Sequence, residues 1–199
     1  MVVFATRNAG KLREAEGRFA GVARLVGLSA FPPVAEPEES EDTFAANARV
    51  KALAYNQALA PHLREGAYVL AEDAGLEVFA LNGFPGVRSS RVAASDPERI
   101  ELLLAKLREC GCNSPEARSA RFVSAMALVR SGEVVAEVQG EVRGCIADEP
   151  RGSSGFGYDP VFYYEPFGKT FGECTLEEKR AVSHRAKALE AIRKILEGG

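Results

Sequence analysis

A chain of 199 residues with 46% hydrophobic residues can bury one substantial core or two small lobes. Its 25 basic and 28 acidic side chains leave a net charge of -3, which argues against a general nucleic-acid or anionic-membrane surface but permits a small anion on a local cation cluster. The uncharged run Phe122 to Val129 is far too short to span a bilayer, and MVVFATRNAGK lacks the basic-then-apolar design of a signal peptide, so a cytoplasmic setting with no membrane or nucleic-acid partner is expected.

Val2 to Ala5 predict a short buried strand, and Thr6-Arg7-Asn8 cap a helix from about Ala9 to Phe19. Lys11 falls in its first turn, where the helix dipole disfavours a cation unless an anion sits at the amino end. Weak strand signal returns at Arg24 to Leu28, and a proline- and acid-rich loop runs from Phe31 to Glu41. Asp42-Thr43 open an alanine-rich helix from Thr43 to about Leu59, ended by Pro61. Asn47 and Lys51 share one of its faces, which by spacing alone reads as solvated. His62 reads as a surface or capping histidine. From Ala67 a buried strand begins, and Tyr68 to Ala71 are expected to be its end. Glu72 and Asp73 then stand where it stops, with Ala74-Gly75 turning the chain. Leu76 to Leu81 form a second apolar run before the turn signals Asn82-Gly83 and Pro85-Gly86. Carboxylates at the carboxyl end of a strand are where α/β proteins hold ligands, although two surface acids in a solvated turn fit the same pattern.

Asp96-Pro97 start a helix whose stripe, Ile100, Leu103, Leu104 and Leu107, runs to Arg108. After a turn region from Gly111 to Ser119, Ala120 to Arg130 and Val134 to Ile146 predict strands joined through Ser131-Gly132. Glycines between Glu149 and Tyr164 allow backbone to approach a ligand, and Phe156 there either stacks on a base or plugs the core. Gly168 to Cys174 read as a loop or short strand. Thr175 and Glu178 predict a capping box for helical sequence from Leu176, interrupted at Ser183-His184-Arg185 and resuming to Leu196. Cysteines 110, 112, 145 and 174 lack zinc-finger spacing and are expected to be reduced structural thiols. The succession predicts an α/β fold with a mixed sheet.

No P-loop, dinucleotide fingerprint or G-x-S-x-G is present. What remains is a set of acids, Glu39, Glu41, Asp42, Glu72, Asp73 and Asp159, with the bases Arg7, Lys11, Lys51, Arg151, Lys169, Lys179 and Arg185. Carboxylates with clustered cations suit magnesium-assisted phosphoryl or nucleotidyl hydrolysis.

The motifs T-x-N-x-x-K from Thr6, T-F-x-x-N-A-x-x-K-A from Thr43 and A-E-D-A-G-L from Ala71 together resemble the inosine triphosphate pyrophosphatase family. L-x-G-x-P-G-x-x-S-x-R from Leu81, P-R-G-x-x-G-F-G-Y-D-P from Pro150 and E-E-K-x-x-x-S-H-R from Glu177 extend the resemblance over nearly the whole chain. It implies an enzyme that hydrolyses non-standard purine nucleoside triphosphates, those of inosine, deoxyinosine and xanthosine, to monophosphate and pyrophosphate. It also implies a single domain over residues 1–199, elongated and two-lobed with a mixed central sheet and the active site in the cleft between the lobes, normally homodimeric. By position, Thr6, Asn8 and Lys11 resemble triphosphate contacts and Lys51 a catalytic phosphate ligand. Glu39 and Asp73 resemble the Mg2+ site, Asp73 being also the general base. Phe156 resembles the ring that stacks on the base, while Gly157, Tyr158, Asp159, Lys179, His184 and Arg185 resemble groups that read its edge and hold the nucleotide. Glu72 and Ala74 depart from the family's usual aspartate and serine, and Arg180 from its asparagine. A nucleotide-binding regulatory protein, and a pyrophosphatase for modified pyrimidine or ordinary triphosphates, are the rival readings.

Overall fold

The computed structural model describes residues 1–198. Val2–Phe4 (β1) is wholly buried and pairs in parallel on both sides. Val3 lies opposite Val26 of Leu25–Gly27 (β2) and opposite Val69 of Tyr68–Val78 (β3). Ser119–Arg130 (β4) and Glu133–Ile146 (β5) follow, then Phe162–Tyr164 (β6) and Lys169–Thr170 (β7), with β6 antiparallel to both β5 and β7. The order β2-β1-β3-β4-β5-β6-β7 makes a seven-stranded mixed sheet, as expected. The helices are Ala9–Ala15 (α1), Phe44–Leu59 (α2), Asp96–Glu109 (α3), Leu176–Val182 (α4) and His184–Gly198 (α5).

The chain divides into two compact units, the first made of residues 1–73, 124–140 and 185 onward, the second of residues 74–123 and 141–184. In the first, Val2, Phe4, Leu70, Met126 and Leu128 from the strands pack with Ala15 and Phe19 and with Ala188, Leu189 and Ile192 of α5. In the second, the α3 stripe Ile100, Leu103, Leu104 and Leu107 joins Leu76, Val78, Phe122 and Val142. Phe162 adds aromatic contacts there, its ring centroid 4.6 Å from Phe122 and 5.0 Å from Phe171. Each such side chain taken fully out of water stabilises its core by roughly 1.5–3 kcal/mol.

Local turn chemistry acts where the sequence places it in most of the chain. Ser131 (φ 52°) and Gly132 (φ 82°) both take the left-handed conformation a two-residue hairpin needs. Thr175 and Glu178 form the expected capping box. Four expectations are corrected. First, α1 ends at Ala15 and not Phe19, with Gly17 at φ 78° shortly beyond its end. Second, α3 is capped by Ser95, whose side chain accepts the Glu98 N–H while Glu98 returns the contact; Asp96 is the first helical residue.

Third, β3 does not stop at Ala71 or turn at Ala74-Gly75. Gly75 keeps a φ outside the left-handed region, and the Leu76 N–H is satisfied by the Ser89 hydroxyl at 2.9 Å, so the strand continues to Val78. The reversal comes at Asn82 (φ 53°) and Gly83 (φ 82°). Glu72 and Asp73 therefore lie within a buried strand. Fourth, Cys110 and Cys112 are disulfide-bonded, with the intervening Gly111 at φ 69° and the Cα atoms 5.5 Å apart, while Cys145 and Cys174 are free thiols.

The Ser95 capping box generates a stability prediction. Ser95→Ala removes the acceptor for the Glu98 N–H and should cost about 1 kcal/mol, read as a lower urea midpoint with an unchanged slope.

Candidate active site

Adjacent residues of a strand face opposite ways, so Glu72 and Asp73 enter different surroundings. Leu70 and Glu72 share the face packed by α1 and α5, whereas Asp73 meets α2.

Glu72 is the centre of a buried charge cluster. Arg185 Nε donates to its two oxygens at 2.9 and 3.0 Å, the Ser124 hydroxyl donates at 2.6 Å, and Lys11 Nζ lies 3.1 Å away. Arg185 is only 2% exposed, and its Nη1 donates to the buried Glu14 at 2.9 Å. Removing such ions from water costs several kcal/mol each, offset only when pairing and hydrogen bonding are both good. Burial pulls the Lys11 ammonium below its usual pKa, against the opposing charge of Glu72. Burial also pulls on Arg185, but the charges of Glu72 and Glu14 prevail and hold it above its usual value. Lys11 itself is set by the start of α1, where the Asn8 side chain accepts the Lys11 N–H at 3.1 Å and the Thr6 hydroxyl accepts the Asn8 N–H at 3.1 Å. Thr6 also lines a cavity of about 600 Å³ with Leu12, Leu28, Phe31 and Val34.

On the other face, the Asn47 amide donates to Asp73 Oδ2 at 3.0 Å. The same amide donates to the Glu41 carbonyl at 3.2 Å and accepts the Glu41 N–H at 3.0 Å, tying the acid-rich loop to α2. One turn on, Lys51 Nζ pairs with Glu39 Oε1 at 2.5 Å. Asn47 and Lys51 are both buried, which corrects the solvated face that spacing alone suggests. Burial pushes the Asp73 carboxyl up to about 6, with the Lys51 charge lowering it and the Glu39 charge raising it. A carboxylate that ionises just below neutral pH is suited to taking a proton from water.

Glu39 and Asp73 offer hard oxygen donors, and Asp73 is a buried carboxylate. That chemistry fits Mg2+, which binds through one or two carboxylates and lets water and phosphate complete the shell. Among the described residues no three His, Cys, Asp or Glu side chains converge as a self-sufficient metal site.

The second unit holds a different set. Asp159 Oδ2 accepts the Phe156 N–H at 2.9 Å and pairs with the buried Lys179 Nζ at 2.6 Å. The same ammonium sits 4.7 Å from the Phe156 ring centroid. Gly155 must be glycine, since a Cβ would lie 2.0 Å from Asp159 Oδ2. Phe156 is part-exposed and outside the aromatic core, so it does not plug it. Tyr158 is what enters that core. Its hydroxyl donates to the Ser89 carbonyl at 3.0 Å, and burial pushes its phenol above the usual range. His184 is buried and stacks on Phe122 at 4.9 Å and 14°.

Of the residues the sequence singles out, Thr6, Asn8, Lys11, Glu39, Lys51, Asp73 and Arg185 belong to the first unit. Phe156, Gly157, Tyr158, Asp159, Lys179 and His184 belong to the second. The chain passes from one to the other between His184 and Arg185. The resemblance groups Arg185 with base-reading residues; in the structure its guanidinium is bound to Glu72 and Glu14. Sequence reasoning did not single out Glu14 or Ser124. Ser124 leaves a signal, a lone polar residue in the apolar run FVSAMALV, and Glu14 leaves one in its position three residues after Lys11 on a short helix.

The family model of the Ham1 family matches residues 2–195. A dITP/XTP pyrophosphatase of Gloeobacter violaceus is 44% identical over 197 residues, spanning 99% of this chain and 93% of that protein. One of Geobacillus kaustophilus is 44% identical over 193 residues, with 96% and 91% covered. Among solved structures, a HAM1 protein from Coxiella burnetii superposes with a TM-score of 0.83 at 35% identity, covering 100% of this chain and 98% of that one. A nucleoside-triphosphatase / dITP/XTP pyrophosphatase from Mycobacterium abscessus superposes with a TM-score of 0.71 at 39% identity, covering 96% and 98%.

Two stability predictions follow from the two carboxylates of β3. The folded Asp73 pKa of about 6 lies above the ordinary 3.8, so between these values the native state holds more protons than the unfolded. The stability this group contributes is complete below the ordinary value and lost as pH rises through the folded one. Asp73→Asn in EDTA should therefore raise unfolding free energy by roughly 1–3 kcal/mol near pH 8 and add little near pH 4, measured by urea titration. Glu72→Gln should do the opposite, costing about 3–5 kcal/mol by leaving buried cations undercompensated.

Proposed function

We propose, from the premise that this chain belongs to the Ham1 family, that it is a pyrophosphatase for non-standard purine nucleoside triphosphates. It converts dITP, ITP and XTP to the monophosphate and pyrophosphate, in a reaction that uses Mg2+. The observation that carries this reading is Asp73, a buried carboxylate ionising at about 6 and oriented by Asn47, in a chain whose relatives are named dITP/XTP pyrophosphatases.

Asp73 takes the proton from the attacking water. Bound by Glu39 and Asp73, Mg2+ would neutralise charge on the phosphate oxygens. Lys51 and Lys11 act on the phosphates as point charges, with Thr6 and Asn8 supplying polar contacts at the start of α1. Glu39 holds Lys51 in place, and the Glu72 cluster does the same for Lys11.

Phe156 stacks on the purine, a contact worth about 1–3 kcal/mol that every purine can make. Discrimination therefore belongs to polar groups. A six-position carbonyl accepts hydrogen bonds where adenine's amino group donates, so the donors Lys179 and His184 favour the former. Facing adenine, a buried donor left unsatisfied costs about 1–3 kcal/mol. Asp159 keeps Lys179 beside the ring, and Gly157 and Tyr158 shape the loop that carries it. Arg185 acts on the site through Glu72, and any direct contact with the base is secondary to that role. No helix among the described residues is long and apolar enough to cross a membrane. A single functional domain, a homodimer and a cytoplasmic nucleotide pool as the place of action complete the proposal.

With Mg2+ and a panel of triphosphates, XTP and dITP should give monophosphate and pyrophosphate, with ATP and GTP much poorer substrates. Orthophosphate release, equal rates across the panel, or tight binding without turnover would each sink the reading. Lys11→Ala and Lys51→Ala should lower kcat/KM on every triphosphate by a similar factor. Asp73→Asn should remove most turnover while leaving nucleotide affinity largely intact.

A further inference from the structure

Asp96 belongs to no motif singled out above and lies far in sequence from the loop that carries Phe156. As the first residue of α3, its carboxylate suits the positive end of the helix dipole. Its two oxygens have separate uses. Oδ1 pairs with Arg99 one turn on, at 2.5 Å, and Arg99 is itself anchored by donating from Nε to the Ala93 carbonyl at 3.1 Å. Oδ2 accepts the Gly157 N–H at 2.7 Å, across 61 residues of sequence. The first contact fixes the carboxylate, and the second uses it.

Gly157 shows why the loop needs such an anchor. Its φ is 64°, yet a Cβ there would meet nothing within 4 Å. No atom packs where a side chain would stand, so on that side the hydrogen bond to Asp96 holds the peptide. On one side the Phe156 N–H is fixed by Asp159, and on the other Tyr158 is fixed by the core and by Ser89. The Asp96 bond closes the gap between those anchors and sets the direction in which the backbone presents the Phe156 ring.

We propose that Asp96 is a positioning residue for purine recognition, holding the Gly157 peptide so that Phe156 meets the base in a stacking orientation. It touches neither base nor phosphate itself. The inference rests on the base-stacking role proposed for Phe156.

The test is steady-state kinetics on XTP and dITP with Mg2+ for Asp96→Ala, Asp96→Asn, Phe156→Ala and the Asp96→Ala/Phe156→Ala double variant, with thermal unfolding of each. A lost hydrogen bond to a charged acceptor should raise KM about tenfold in Asp96→Ala. Its kcat should stay within about twofold, because the groups assigned to the phosphate chemistry lie in the other unit. Asp96→Asn keeps an acceptor oxygen for Gly157 but gives up the Arg99 pairing, and should bring KM back to within about fourfold of the parent, clearly below Asp96→Ala. The double variant should be little worse than Phe156→Ala, since both changes remove one stacking contact. If Asp96→Ala is unfolded at the assay temperature, Asp96→Ser carries the same expectation, its hydroxyl being too short to reach Gly157.

An unchanged KM in Asp96→Ala beside a raised one in Phe156→Ala overturns the role of Asp96 alone. An unchanged KM in Phe156→Ala overturns the stacking role on which it rests. A fall in kcat at constant KM, additive losses in the double variant, or Asp96→Asn behaving like Asp96→Ala also overturns the proposal.

Discussion

A guanidinium with 2% of its surface in water exists only where its charge is answered, and Arg185 is answered by two carboxylates. Glu72 comes from β3 and Glu14 from α1, while the guanidinium comes from α5; Ser124 of β4 and Lys11 of α1 complete the set. Four elements of the first unit are thus tied at one point. An apolar core tolerates sliding by fractions of a residue more readily than a buried ion pair does, because a charge moved away from its partner stays desolvated. The cluster therefore sets register as well as contributing contacts, and it delivers the Lys11 ammonium to the start of α1.

The neighbouring carboxylate is treated in the opposite way. Asp73 accepts a neutral amide from Asn47 where Glu72 has a guanidinium, and burial raises its pKa to about 6. Two acids adjacent in sequence thus differ in surroundings because strand alternation sends one to the Arg185 guanidinium and the other to α2 and the acid-rich loop. Glu72 contributes to holding the unit together. Asp73, its pKa raised by burial, is a cost to the fold at neutral pH.

In the second unit the ordering principle is hydrogen bonding around glycine. Gly155 leaves room for the Asp159 carboxylate and Gly157 supplies a left-handed φ, so the loop folds tightly around the buried Tyr158 ring. Its fixed points come from Asp96, Ser89, Asp159 and the Tyr158 ring, which place a part-exposed Phe156 beside the buried Lys179 ammonium. Under the stacking role proposed for Phe156, rigidity around this part-exposed ring lowers the ordering cost of binding.

The sequence by itself determined whatever is encoded within a few residues. The α3 stripe, the Thr175–Glu178 capping box, the Ser131-Gly132 hairpin and the mixed α/β class are all legible because periodicity and turn chemistry act locally. The ordered motifs also sufficed to identify the family. Only the tertiary structure decided that β3 runs on through Ala74-Gly75, that Asn47 and Lys51 are buried, and that Arg185 answers a glutamate 171 residues away. A glycine permits a turn without requiring one, and a helix face is solvated only if nothing packs on it. Charge pairing between distant residues depends on which surfaces packing brings together, and no local pattern carries that information.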